Sequence, residues 1–184
     1  SMYAADRNAV FTHPDNTRNR LQQLALTGEH WLGDADQLGA SVYWRKVGTR
    51  TLNGDGNDEY DNAPDPSGVL NRTRTDQIAL GGGLQWTRYG ERHQLTLGAS
   101  HDRSRAAFRQ SEQEGSLTAT RGVSPEEDEE LANHLDGRTR TTSLFVSDTV
   151  ALTPTLHLSA SARYNHTRVI NVDRLDPTPP NLDG

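Results

Sequence analysis

One acidic, glycine-containing stretch of the chain has the residue types of a site for a hard cation. It is residues 53–61, which read Asn-Gly-Asp-Gly-Asn-Asp-Glu-Tyr-Asp. Oxygen ligands suit calcium, and glycine permits the sharp turn that a calcium-binding loop makes. The candidate metal ligands are the carboxylates of the stretch: Asp55, Asp58, Glu59 and Asp61.

The match of this stretch to an EF-hand loop is incomplete. Asn53, Asp55 and Asn57 occupy the first, third and fifth positions of that motif. However, Asp58 stands where glycine is wanted, and Pro64 stands where the bidentate glutamate belongs. The alternative to a calcium site is a solvated loop. No cofactor other than this calcium ion is predicted.

The sequence offers little for catalysis. Ser100, His101 and Asp102 supply the residue types of a triad, but neighbours on a strand point to opposite faces and cannot act together. His157 and His166 also fall on opposite parities. Closely spaced metal-binding histidines, glycine-rich phosphate loops and nucleophile elbows are missing from the sequence. We therefore predict no catalytic residues and no enzymatic activity.

The elements that would position these residues are β-strands. In residues 77–87, apolar side chains alternate with small or polar ones. Because successive side chains of a strand point to opposite faces, one face of this strand is apolar and the other is small and polar. The glycines 81–83 lie in its middle, where they permit bending of the strand or close approach of a neighbour. The same alternation recurs in residues 38–45, 95–100, 144–152 and 156–165, and more weakly in 21–32.

The connections between these segments alternate between short and long. Residues 33–36, 89–92 and 153–155 are turn-like, and each can close an antiparallel hairpin. Between the hairpins lie two polar stretches, about 53–73 and 111–138, which are longer than connections in compact soluble domains. The pattern predicts an all-β fold: an antiparallel up-and-down meander of about six strands from a transmembrane β-barrel, with the long loops on one side.

Composition agrees with this fold class and excludes others. Only 32% of the 184 residues are hydrophobic, there is no cysteine, and the net charge is -6; the mean hydropathy is -0.82. Globular chains have about 45–50% apolar residues, whereas a barrel needs apolar residues on only one parity of each strand. No apolar run approaches the roughly 18–20 residues of a membrane-spanning helix. The acidic balance argues against nucleic acid as a partner, and the lack of cysteine excludes a disulfide scaffold.

Arginines cluster toward the long-loop side of the predicted strands. In a barrel they would line the outer mouth or the lumen, where cations could attract acidic siderophores or bind lipopolysaccharide phosphate. The simpler explanation is pairing with aspartate and glutamate across neighbouring strands, in exposed ion pairs that are individually weak. The arginines concerned are Arg45, Arg50, Arg72, Arg74, Arg103, Arg105, Arg138, Arg140, Arg163 and Arg168.

The two ends of the chain suggest a piece excised from a longer protein. Ser1-Met2-Tyr3 has no positively charged leader, and serine before methionine resembles the scar of a cleaved tag. Proline-rich residues 176–180 predict the start of a third long loop. The predicted organisation is a tag remnant and extracellular loop segment over 1–17, barrel hairpins over 18–174 with long loops at about 53–73 and 111–138, and the start of a further loop over 175–184.

Several segments resemble the barrel region of TonB-dependent outer-membrane receptors. Residues 156–169 read LHLSASARYNHTRV and are similar to a strand of that family in which small residues lead into Ala-Arg-Tyr. Residues 143–154, SLFVSDTVALTP, resemble the companion strand before a short periplasmic turn. Residues 94–105, QLTLGASHDRSR, and residues 43–61, which join a strand to the Asn-Gly-Asp-Gly loop, are also similar. The resemblance covers most of the chain from about residue 15 onward.

The resemblance implies the function of the parent protein. Such receptors have barrels of about 22 strands with a plugged lumen and import scarce nutrients, most often ferric siderophores, with energy passed through TonB. The implied partners are a ferric siderophore or similar small ligand, TonB through an N-terminal region that is not in this chain, and outer-membrane lipid and lipopolysaccharide. The implied location is the outer membrane of a Gram-negative bacterium. With about six strands and no plug, this chain could not transport a ligand alone.

Two other functions stay open at this point. A passive porin-like outer-membrane barrel would share the hairpin pattern, and a soluble β-sandwich or adhesin module would bind a partner without crossing a membrane. An excised section of barrel wall also leaves two open strand edges and one apolar face. Both features invite association, so we expect the isolated chain to dimerise, to curl into a smaller closed sheet or to adopt a sandwich.

Overall fold

A single antiparallel sheet forms the described part of the chain. The structure is a computed structural model that describes residues 12–56 and 67–176. The order across the sheet is β1-β2-β3-β4-β6-β7, and β5 pairs with β4. This confirms the predicted antiparallel meander, with the short β5 as an unpredicted addition. The strands are β1 Asp15–Trp31, β2 Asp36–Gly56, β3 Ser67–Tyr89, β4 His93–Leu117, β5 Val123–Pro125, β6 Glu130–Thr153 and β7 Leu156–Asp173.

The three short connections lie where the sequence predicts them. Residues 32–35, 90–92 and 154–155 join β1 to β2, β3 to β4, and β6 to β7. In the first, the Leu32 N–H donates to the Asp36 carbonyl oxygen at 2.8 Å, and in the second, the Gly90 N–H donates to the His93 carbonyl oxygen at 2.7 Å. All three connections lie on the same side of the sheet, at the ends of the strands. We call these strand ends the turn end of the sheet and the opposite strand ends the loop end.

The two long connections are shorter than the sequence predicts. Strand β2 continues to Gly56 and β3 begins at Ser67, so residues 53–56 and 67–73 of the predicted loop belong to strands, and residues 57–66 lie outside the described residues. Strand β4 continues to Leu117 and β6 begins at Glu130, with β5 between them. The reason is that polar residues at the loop end still pair their backbones, so the strands continue after the alternation of apolar side chains has ended.

The two faces of the sheet differ in exposure. On β4, odd-numbered residues from 97 to 105 are exposed, whereas the even-numbered residues between them are half-buried. On β6 the same contrast separates exposed Leu144 from Ser143, which is 1% exposed. Side chains diverge on a convex surface and converge on a concave one. We therefore assign the face of Leu97 and Leu144 as the convex face and the face of Ser143 as the concave face.

The convex face is the apolar face of the alternation. One row across the sheet joins Gly28, Ala40, Leu84, Ala99, Leu144 and Tyr164 by register. Leu84 is 60% and Tyr164 is 66% exposed. Of the hydrophobic residues in the described ranges, only Leu70 and Ala79 are buried, so this single layer has no compact core of its own. Large exposed apolar surfaces mark contact with a membrane or another protein.

The edges of the sheet remain open. Strands β1 and β7 end the strand order and do not pair with each other over the described residues. The predicted self-association of the isolated chain depends on these edges and on the exposed apolar face, and it stays a prediction. Among residues 12–56 and 67–176, no helix is long and apolar enough to cross a membrane.

Candidate functional site

Hydroxyl side chains line much of the concave face. They meet in pairs across neighbouring strands, with oxygen–oxygen distances of about 3 Å, and the pairs extend from β1 to β7. Such pairs stabilise a sheet modestly and leave hydrogen-bonding capacity toward water. The concave face is therefore a wettable wall. The pairs are Thr17 with Thr51, Thr87 with Thr96, Thr141 with Thr167, Thr149 with Ser159, and Ser147 with Ser161.

A tyrosine bridges three strands at the centre of this wall. Tyr43 on β2, Gly81 on β3 and Asp102 on β4 are register neighbours. The Tyr43 hydroxyl donates to Asp102 Oδ1 at 2.7 Å, so the ring must cross the position of Gly81. A Cβ at Gly81 would lie 2.6 Å from Tyr43 Cε1 and would also collide with the Asp102 carboxylate. Gly81 thus permits the bridge, and of the two roles that the glycine run allows, bending and close approach, the structure shows close approach at this position.

A second aromatic ring covers a glycine nearer the turn end. Phe145 on β6 is opposite Gly98 on β4, and a Cβ at Gly98 would overlap the ring. The guanidinium carbon of Arg163 lies 5.9 Å from the centroid of the same ring. A cation–π contact of this kind contributes about 0.5–1 kcal/mol at an exposed site. The contact places one cation on the concave wall.

The candidate triad residues are not brought together. His101 lies on the convex face, where its Nδ1 is 2.9 Å from Thr142 Oγ1. Asp102 lies on the concave face and accepts from Tyr43 instead. In the register, His157 pairs with Ala151 and His166 pairs with Thr142. The two histidines therefore lie on different faces of the sheet. The parity argument from the sequence is therefore correct for these residues.

The candidate metal residues fall partly outside the described ranges. Asp55 is opposite Val69 within the β2–β3 ladder, and its Oδ1 accepts a hydrogen bond from the Gly56 N–H at 2.9 Å. An EF-hand position would lie in a loop, so this part of the stretch departs from the motif. Asp58, Glu59 and Asp61 lie outside the described residues. Elsewhere in residues 12–56 and 67–176, no three His, Asp or Glu side chains are grouped to hold a metal, and the calcium site stays a prediction.

Most of the arginines singled out in the sequence lie on the convex face, which the sequence did not predict. Arg45 and Arg163 face the concave side. By contrast, Arg50 and Arg74 are opposite each other on the convex face. Arg103, Arg140 and Arg168 form another convex row. Because arginine faces arginine in these rows, pairing with acidic residues directly across the strands is the wrong explanation for them.

Two further arginines belong to this group, although the sequence analysis does not single them out. Arg18 on β1 is opposite Arg50, and Arg109 on β4 is opposite Arg74. Extension of the alternation would have placed both on the apolar parity, since Arg18 is even like Leu24 and Arg109 is odd like Leu97. Their alignment into a row could not be read in this way, because it depends on the register.

A comparison with protein families identifies the architecture. The family model for the TonB dependent receptor-like β-barrel matches residues 2–183, almost the whole chain. The chain belongs to this family. TonB-dependent receptor barrels are located in the Gram-negative outer membrane, and the family consists of receptors and transporters and not of enzymes. The family that the sequence motifs resemble is thus confirmed.

A solved structure supports the same fold. The crystal structure of the ferric citrate transporter FecA in the unliganded form superposes with a TM-score of 0.71 at 9% sequence identity. The match covers 96% of this chain and 25% of the FecA chain. At this identity the likeness establishes the fold alone. The coverage shows that this chain spans about a quarter of the length of the transporter that it matches. No curated protein matches this chain by sequence.

Proposed function

We propose that this chain is part of the wall of an outer-membrane receptor that imports a scarce nutrient, with a ferric siderophore as its ligand. The observation that carries the proposal is the match of the TonB-dependent receptor barrel family over residues 2–183. The structural neighbour FecA is a ferric citrate transporter, which supports an iron chelate as the class of ligand. A passive porin-like barrel and a soluble sandwich or adhesin module are the alternatives that this family match disfavours.

The two faces of the sheet would have different roles in such a barrel wall. In a closed barrel the convex face is the outer face, so its apolar side chains would meet lipid. The concave face, with its paired hydroxyls, would meet water, the plug and the solute path. Residues that select the ligand would lie in the long loops and in a plug, as in other plugged barrels.

The position of the apolar band also supports one orientation of the sheet in the membrane. A transmembrane strand needs about 9–11 residues, but β3 has 23 residues. Its apolar alternation, from Ile78 to Trp86, occupies the half of the strand nearer the turn end. The loop end would therefore project beyond the membrane. Since outer-membrane barrels have short periplasmic turns and long extracellular loops, we infer that the loop end is extracellular.

Iron uptake by cells that lack the gene of the full-length receptor tests this function. We expect the deletion to abolish uptake of one radiolabelled ferric chelate in a panel of citrate, catecholate and hydroxamate complexes. The gene on a plasmid should restore uptake only in cells that have TonB, because the transport energy passes through that protein. Uptake restored without TonB would favour the porin-like alternative. If uptake of every chelate is unchanged by the deletion, the proposed function is wrong.

A further inference from the structure

A row of carboxylates and amides crosses five strands at the loop end of the concave face. Each member is the register partner of the next: Asp15 on β1, Asn53 on β2, Asn71 on β3, Glu112 on β4 and Glu130 on β6. We call these five residues the rim row. Asp15 and Glu130 are exposed, and the other three are half-buried. In the proposed orientation the rim row lies at the extracellular mouth and faces the solute path.

The negative charge of the rim row is not balanced by neighbouring cations. Glu112 accepts a hydrogen bond from Gln110 Nε2 at 2.8 Å, and Gln110 Oε1 accepts one from Asn133 Nδ2 at 3.1 Å. These donors are neutral, so they orient the carboxylate without cancelling its charge. Over the part of the chain that the structure describes, no ion pair involves Asp15, Glu112 or Glu130. Glu112 and Glu130 thus stand directly opposite each other as like charges.

Lysine and arginine are almost confined to the other face of the sheet. On the strands within residues 12–56 and 67–176, Arg45 and Arg163 are the only lysine or arginine residues that face the concave side. Arg163 lies toward the turn end and Arg45 near the middle of β2. The convex arginines are on the far side of the sheet, and salt screens charges over about 8–10 Å. The described part of the mouth therefore has the sign of its carboxylates.

The next row of the concave face, toward the membrane, is polar but uncharged. Hydroxyl and amide side chains both donate and accept hydrogen bonds, so they suit the carbonyl, hydroxyl and amide groups of an uncharged solute. An anionic solute that loses water in this place needs a compensating cation, and these strands supply none at this level. The residues of the row are Thr17, Thr51, Thr73, Gln110 and Asn133.

We propose that the barrel wall selects its cargo by charge, and that the imported ferric chelate carries no net negative charge, as in a complex with three hydroxamates. This ligand class rests on the proposed function. Each hydroxamate loses one proton when it binds ferric iron, so three of them give an uncharged complex, whereas catecholates and citrate give anionic ones. A cleft lined by one sign of charge repels solutes of that sign. The rim row would thus discriminate before the loops and the plug contact the ligand.

The uptake panel gives the first test of the ligand charge. We expect deletion of the gene of the full-length receptor to abolish uptake of the hydroxamate chelate and to leave uptake of ferric citrate and the catecholate chelate unchanged. Loss of an anionic chelate instead would overturn the charge selection and leave the proposed function intact. If no chelate is lost, the proposed function fails and the ligand class fails with it.

A pair of ligands that differ only in charge tests the role of the rim row. One ferric trihydroxamate would carry a pendant amine, and the other the same amine converted to a succinyl carboxylate. We expect the purified full-length receptor at low salt to bind the carboxylate form about tenfold more slowly in stopped-flow experiments, and added salt to reduce this difference. D15N, E112Q and E130Q together should remove most of the difference.

The matched control removes the same charge from the convex face. D76N, D136N and D148N together should leave the ratio of the two rates unchanged, because these carboxylates face away from the solute path. Equal rates for the two ligands, faster binding of the carboxylate form, or equal changes in both triple variants would overturn the proposal. If the rim variant does not fold, E130Q alone carries the test with a smaller change in the same direction. Glu130 has no ion pair to lose within the described residues.

Discussion

Replacement of Leu84 by arginine should lower the free energy of unfolding of the full-length receptor in lipid vesicles by about 2–4 kcal/mol. Leu84 is 60% exposed and lies on the convex face between Ala40 and Ala99 in register. If this face meets lipid, the substitution puts a guanidinium into hydrocarbon, where it cannot be hydrated. The change can be measured from urea unfolding curves in vesicles.

The next residue along the strand supplies a matched control. Gln85 lies on the concave face, and Gln85→Arg introduces the same side chain toward the aqueous side. Surface substitutions of this kind usually change stability by less than about 0.5 kcal/mol. Equal losses at positions 84 and 85 would contradict the assignment of the two faces, and a loss at 85 alone would reverse it.

The second large effect is expected at the tyrosine bridge of the concave wall. A valine at Gly81 must displace the Tyr43 ring and the Asp102 carboxylate, which both lie within contact distance of a Cβ. Overpacking of this kind costs about 1–3 kcal/mol, and the hydrogen bond between Tyr43 and Asp102 would also be lost. We therefore expect Gly81→Val to lower the urea midpoint of the full-length receptor clearly.

Another strand glycine provides the comparison for this substitution. No atom lies within 4 Å of a Cβ built at Gly28, so Gly28→Val should be tolerated, and the β-propensity of valine favours it. A double variant, Tyr43→Ala with Gly81→Val, should lose less than the sum of the two single variants, because residues in contact are not additive. Equal effects at Gly28 and Gly81, or strict additivity, would show that the ring does not depend on the glycine.

The strands and their two faces could be predicted from the sequence because each depends on local information. A two-residue alternation fixes the face of each side chain, and the short turns fix the antiparallel order. The weak first segment also has an explanation. Trp31 breaks the apolar parity because it lies on the concave side, where its ring is 5.3 Å from that of Tyr89.

The loop boundaries and the alignment of Arg18, Arg50, Arg74 and Arg109 on the convex face could not be predicted, because both depend on pairing between strands. Polar residues such as Asn53 and Asn71 carry no alternation signal, yet their backbones continue the β2–β3 ladder. The alignment of these four arginines requires the register of four strands at once. A register shift at Gln110/Ser111 on β4 further changes which β6 residues lie opposite the end of that strand. The sequence therefore located the cations near the loop end but assigned them to the mouth or lumen instead of the convex face.

Spin labels at positions 84 and 85 of the full-length receptor in membranes test most directly whether the convex face of the sheet meets lipid. This chain contains no cysteine, so Leu84→Cys and Gln85→Cys each give one labelling site in this segment once any cysteines elsewhere in the receptor are removed. We predict that the label at 84 collides with dissolved oxygen but not with a water-soluble nickel chelate, and that the label at 85 shows the opposite preference. Equal nickel accessibility at both positions, or the reverse pattern, would contradict a lipid-facing convex surface.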